Sequence, residues 1–171
     1  MLVASPPPAS ANPFPNNVDR SVADNAVHDW CKRITWSYDT AIPPYAMGVL
    51  GDTTAMVVGT NHGTCQDNRI DVWWDTSSLP TPVVGRRTCF SYVTTGICNS
   101  STLVLDIPDI DAIGPYDYDM RRQVAVHELG HSVGLGHSSG NAMNDPVTNS
   151  PDLKYRRYSG HDIAHINAHY G

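Results

Sequence analysis

Through the middle of the chain, apolar positions come in short β-branched and aromatic runs separated by Gly, Asn, Pro and Asp. "RITWSYD" (33–39), "TAMVVGT" (54–60), "RIDVWWD" (69–75), "TCFSYVTT" (88–95) and "STLVLDI" (101–107) have the length and composition of strands. Before them, Val22, Ala26 and Trp30, together with Ala23, Val27 and Cys31, recur at i, i+4. That spacing predicts a helix over residues 21–32 with Ser21 as its N-cap. An acidic, aromatic loop, "PDIDAIGPYDYD", follows the strands. Residues 120–133, with Val124, Ala125 and Leu129 at apolar positions, predict a long helix. An irregular stretch over 134–159 then leads to a last helix over 161–169. Its apolar stripe is Ile163, Ile166 and Tyr170, so His161, His165 and His169, at i, i+4 and i+8, face solvent. The pattern predicts one α+β domain over 20–171. Residues 1–19, with five prolines before position 16, read as a Pro-rich arm or linker.

Composition narrows the class. A chain of 171 residues suffices for one domain with a real core and is thin for two. No apolar run approaches the roughly 20 residues of a membrane helix. The net charge is −6, and Arg86-Arg87, Arg121-Arg122 and Arg156-Arg157 are isolated pairs, which argues against a nucleic-acid partner. A monomer is the expected unit. The four cysteines form no C-x-x-C pair, and in a Pro/Gly/Asn/Ser/Thr-rich chain they point to disulfides and an oxidising compartment. Four cysteines permit three pairings. Cys89–Cys98, closing a short loop, together with Cys31–Cys65, is the preferred one. "MLVASPPPAS" lacks the basic start and apolar core of a signal peptide, so secretion is inferred from the cysteines and the site chemistry.

The chemistry concentrates in "HELGHSVGLGH". Residues four apart on a helix share a face about 5–6 Å apart, so His127 and His131 reach one ion without strain. Glu128 lies about 100° further round, which suits a carboxylate holding a metal-bound water better than a ligand. A helix running on through Gly134 and Gly136 would carry His137 away. Glycine at the helix end takes positive φ and turns the chain, returning His137 as a third ligand. Three protein ligands leave a fourth position for water, as in catalytic zinc sites. Five fixed positions coincide by chance in roughly one chain in 20,000.

The full pattern H-E-x-x-H-x-x-G-x-x-H resembles the signature of the metzincin zinc endopeptidases over residues 124–143. Ser138, directly after the third histidine, resembles the matrixin branch, and "YSGHDIAHINAHYG" is similar to the last helix of matrixin catalytic domains. The resemblance implies a twisted mixed sheet of about five strands, a long active-site helix, a Met-turn and a C-terminal helix. It makes His127, His131 and His137 the zinc ligands and Glu128 the general base. Met143 becomes the Met-turn methionine, an apolar floor under the zinc. Asn144, Asp145, Pro146 and Val147 fall on the wall of the specificity pocket. The link from His137 to Met143 is shorter than is usual in matrixins, and Asn144-Asp145 replaces the aromatic that commonly precedes the proline. No cysteine precedes Cys31 to plug the zinc, and no tyrosine stands two residues after Met143. The family often carries structural calcium. Asp106, Asp109, Asp111, Asp117 and Asp119 supply hard oxygens for Ca2+ but follow no fixed spacing, so an ordinary acidic loop is preferred.

The expected activity is that of a secreted zinc-dependent endopeptidase acting on protein or peptide substrates. Zinc acidifies its water and polarises the scissile carbonyl, while Glu128 moves the proton. Two rivals are a non-catalytic zinc-bearing binding or inhibitory module and a zinc hydrolase acting on something other than peptides. The intact Glu128 favours the enzyme. Asn99-Ser100-Ser101 also matches an N-glycosylation acceptor.

Overall fold

The computed structural model describes residues 14–34, 39–63, 65–66 and 69–171. Residues 1–13 of the Pro-rich arm and 35–38 of the first expected strand lie outside these. The fold is α+β: among the described residues, a six-stranded mixed sheet with four α-helices. The strands are β1 (Val22–Ala23), β2 (Val27–Lys32), β3 (Val57–Asn61), β4 (Val72–Thr76), β5 (Gly85–Thr94) and β6 (Ile97–Leu105). The helices are α1 (Ile42–Thr53), α2 (Ile107–Asp111), α3 (Asp117–Ser132) and α4 (Gly160–Tyr170). Strand order is β1-β6-β4-β2-β3 with parallel pairings, and β5 runs antiparallel along β6 as the edge strand.

The helix predicted over 21–32 is instead β1 and β2. Positions four apart are also in phase with a two-residue period, so Val22, Ala26 and Trp30 fit a strand pattern equally well. Asp24-Asn25 breaks the segment, and the Asn25 side chain accepts from the Val27 amide at 2.7 Å in a turn. β-Branched and aromatic residues and the pairing of β2 between β3 and β4 then decide the outcome. The first helix is α1, in a stretch where Pro43-Pro44 and two glycines read as breakers. Both prolines sit in the first turn, where a missing N–H costs nothing.

Helices α1 and α3 pack on each other, and α3 lies against β5 and β6. Leu50, Met47, Val126 and Leu129 meet Trp30, Trp74, Leu103 and Leu105 in one buried core. The expected apolar positions Val124, Ala125 and Leu129 are all buried. So is Ile166 of α4, whose capping box joins Ser159 and Asp162.

Both preferred disulfides are present, Cys31–Cys65 and Cys89–Cys98, with sequence separations of 34 and 9. Loop-closure entropy makes the longer loop the more stabilising. Replacing Cys31 and Cys65 by alanine is expected to cost about 3.5–4 kcal/mol, against about 2.5 for the Cys89/Cys98 pair. Urea unfolding of the two paired variants checks that order.

His28 in β2 is 2% exposed, and burial lowers its pKa to about 4. The unfolded state, with an ordinary imidazole near 6.5, therefore binds more protons between pH 6.5 and 4, and stability falls as pH drops through that window. Relative to His28→Phe, the wild type is expected to lose about 2 kcal/mol between pH 7 and pH 5. Urea midpoints of the two proteins at both pH values measure the difference.

Candidate active site

Helix α3 carries His127 and His131 on one face, and their Nε2 atoms stand 3.0 Å apart. The Nδ1–H of His127 donates to the Ala142 carbonyl at 3.0 Å, and that of His131 to the Leu135 carbonyl at 2.7 Å. Those bonds place the ring protons on Nδ1, so two lone pairs face each other across the gap. Only a cation reconciles them, and two neutral imidazoles with carbonyl-held Nδ1 protons fit zinc well.

The helix ends in a Schellman turn. The Leu135 amide donates to the Gly130 carbonyl at 3.0 Å and the Gly134 amide to that of His131 at 3.3 Å, with Gly134 at φ +101°. The reversal brings His137 back. Its ring centroid lies 5.1 Å from that of His127 and 5.0 Å from that of His131. One ligand atom from each of the three rings falls within 4.8 Å of the others. Among the described residues these three form the one group of three or more metal-ligating side chains with such spacing.

The turn is held from both sides. Asn16 donates its amide to the Gly134 carbonyl at 3.0 Å and accepts from the Gly136 amide at 2.6 Å. The buried Asn17 side chain donates to the His131 carbonyl at 2.8 Å, a second donor to the oxygen that already accepts from the Gly134 amide. On the far side, the Ser138 amide donates to the Met143 carbonyl at 2.9 Å, closing the short link. Met143 is fully buried, and its sulfur packs on Gly130 beneath the helix.

Asp145 has a place that the sequence reading missed. Its carboxylate lies 3.1 Å from His137 Nδ1, as well as on the wall of the cleft. Pro146 and Val147 also line the cleft, whereas Asn144 braces the segment by donating to the Pro146 carbonyl at 2.6 Å. The cleft, about 590 Å³, is walled by the start of β5 on one side and α3 on the other.

Glu128 is 5% exposed and points into this cleft. Burial pushes its carboxyl up to about 8, opposed by the Arg87 amide and the Arg86 and Arg87 guanidiniums, while Asp145 adds to the rise. A dication on the neighbouring imidazoles acts in the opposite direction. Gly85 makes room for the carboxylate: a Cβ there would stand 2.5 Å from Glu128 Oε1. Neither Gly85 nor Arg87 was legible as part of the site. Burial lowers His127 to about 4 and His131 to about 3, the Ala142 and Leu135 carbonyls resisting, which keeps both rings in the neutral form that binds metal.

Of the aspartates considered for calcium, Asp106 caps α2 and accepts from the Leu79 amide, Asp111 pairs with Arg121, and Asp119 pairs with Arg156. Asn99 lies within β6, its amide donating to Ser100 Oγ at 3.1 Å.

Convergent imidazoles, a glycine-turned helix and a buried glutamate beneath an antiparallel edge strand define a zinc-peptidase type of domain. Residues 48–171 match the matrixin peptidase profile, and the chain belongs to the matrixin family. Among solved structures it is similar to high choriolytic enzyme 1, a hatching enzyme zinc-protease from the medaka fish Oryzias latipes. Identity is 14% and the TM-score 0.47, over 86% of this chain and 90% of that one. Comparison with curated proteins yields no match.

Proposed function

We propose that this chain is a secreted zinc-dependent endopeptidase in which His127, His131 and His137 hold the ion and Glu128 is the general base. The observation that carries this reading is the pair of facing Nε2 lone pairs, with His137 beside them and a buried carboxylate on the next residue. Zinc at that position supplies a Lewis acid that polarises the scissile carbonyl and acidifies water. Glu128 takes the proton of the attacking water on a carboxylate oxygen and delivers it to the departing amine nitrogen. The Arg87 amide orients the carboxylate. Met143 forms the floor of the site, and Asp145, Pro146 and Val147 form the wall that receives the side chain after the scissile bond.

The two disulfides support export. Among the described residues, no helix is long and apolar enough to cross a membrane. Casein cleavage tests the reading: zinc-loaded protein is expected to degrade casein, to stop when a chelator removes the metal, and to recover when zinc is restored. Zinc bound without turnover would favour the non-catalytic module instead.

A further inference from the structure

Helix α4 carries a second histidine pair with the spacing of the first. His161 and His165 sit at i and i+4, with Nε2 atoms 3.0 Å apart, ring centroids 4.4 Å apart and ring planes at 83°. The corresponding values for His127 and His131 are 3.0 Å, 4.6 Å and 89°. The molecule thus presents the same two-imidazole geometry twice, once in the cleft and once on its surface. His161 is exposed and His165 half-buried, so water is at hand to complete a coordination shell.

We propose that His161 and His165 form a second, surface metal site for a divalent transition ion of borderline softness. Two imidazoles and water suit Cu2+, Ni2+ and Zn2+ rather than Ca2+ or Mg2+, which prefer oxygen. The helix backbone already holds the two rings at ligating distance, so little order has to be imposed on binding. His169 takes no part. Its ring lies against Tyr170 at 4.6 Å and Phe14 at 5.5 Å. Asp162 is committed to the capping box, where it accepts from Ser159.

An ion here would also reach the N-terminal segment. The Phe14 ring stacks on His165, with centroids 5.5 Å apart and planes at 11°. Its edge lies over Gly134, at the turn that returns His137. Fixing the His165 ring therefore fixes the surface on which Phe14 rests, so ion binding at α4 stabilises the same segment that Asn16 and Asn17 tie to the turn.

The test is equilibrium dialysis of zinc-loaded protein against Ni2+, with zinc and nickel counted by elemental analysis. The wild type is expected to take up one more ion per chain than His161→Gln or His165→Gln, and His169→Gln to match the wild type. The difference between wild type and variant is the readout whichever ion fills the cleft site, so the outcome is separate from whether the protein is a peptidase. Ni2+ at a hundred times its Kd is expected to raise the wild-type Tm by roughly 5–10 °C and to leave both pair variants unmoved. Equal metal content in wild type and both pair variants would overturn the site. Loss of the extra ion in His169→Gln would overturn the two-ligand assignment.

Discussion

Glu128→Gln is expected to keep its zinc and to lose roughly 10²–10⁴-fold in kcat. The substitution preserves volume in a site with no spare room beneath Gly85, and leaves an oxygen to accept from the Arg87 amide. It removes only basicity. Because Glu128 is placed beside the three imidazoles and not among them, metal content should equal that of the wild type. The loss should appear equally in kcat and kcat/KM, since the proton is moved only on the way to the transition state. Steady-state cleavage of a quenched peptide, with zinc counted in the same samples, measures both. Full activity with zinc bound would sink the assigned role.

Asp145→Ala is expected to weaken zinc binding by roughly 10–100-fold, the usual cost of removing a carboxylate that orients a ligating histidine. The carboxylate is 3.1 Å from His137 Nδ1 and is exposed enough that its loss should not endanger the fold. Saturating zinc should restore most of kcat. Competition against a metal-binding dye measures the affinity. If Asp145 served only as pocket wall, KM would change while zinc affinity stayed put, so the two readings separate cleanly.

The catalytic segment was legible because its logic is local. His127 and His131 share a helix face by spacing alone, and Gly134 marks the turn that His137 requires. Met143 was reached through family resemblance, and the structure places it buried against Gly130. What stayed hidden depends on contacts between distant segments. Asn16 and Asn17 lie more than a hundred residues from the turn they hold, and nothing in "NPFPNN" announces that partnership. Gly85 and Arg87 meet Glu128 only because β5 folds along α3. Asp145 was placed on the wall by its position after Met143, but a chain turn, not sequence spacing, brings it to His137. The misplaced first helix has a different cause. An i, i+4 repeat is shared by helix and strand because a spacing of four is also a multiple of the strand's two-residue period, and only the partners β3 and β4 settle it.

Digestion of a mixed peptide library, with new termini mapped by mass spectrometry, is the most direct measurement of peptidase activity. Zinc-loaded protein is expected to cut internal peptide bonds, to show a preference in the side chain after the cut, and to lose all cleavage on metal removal and regain it on zinc addition. A library left intact by protein with zinc confirmed on His127, His131 and His137 would contradict the assignment.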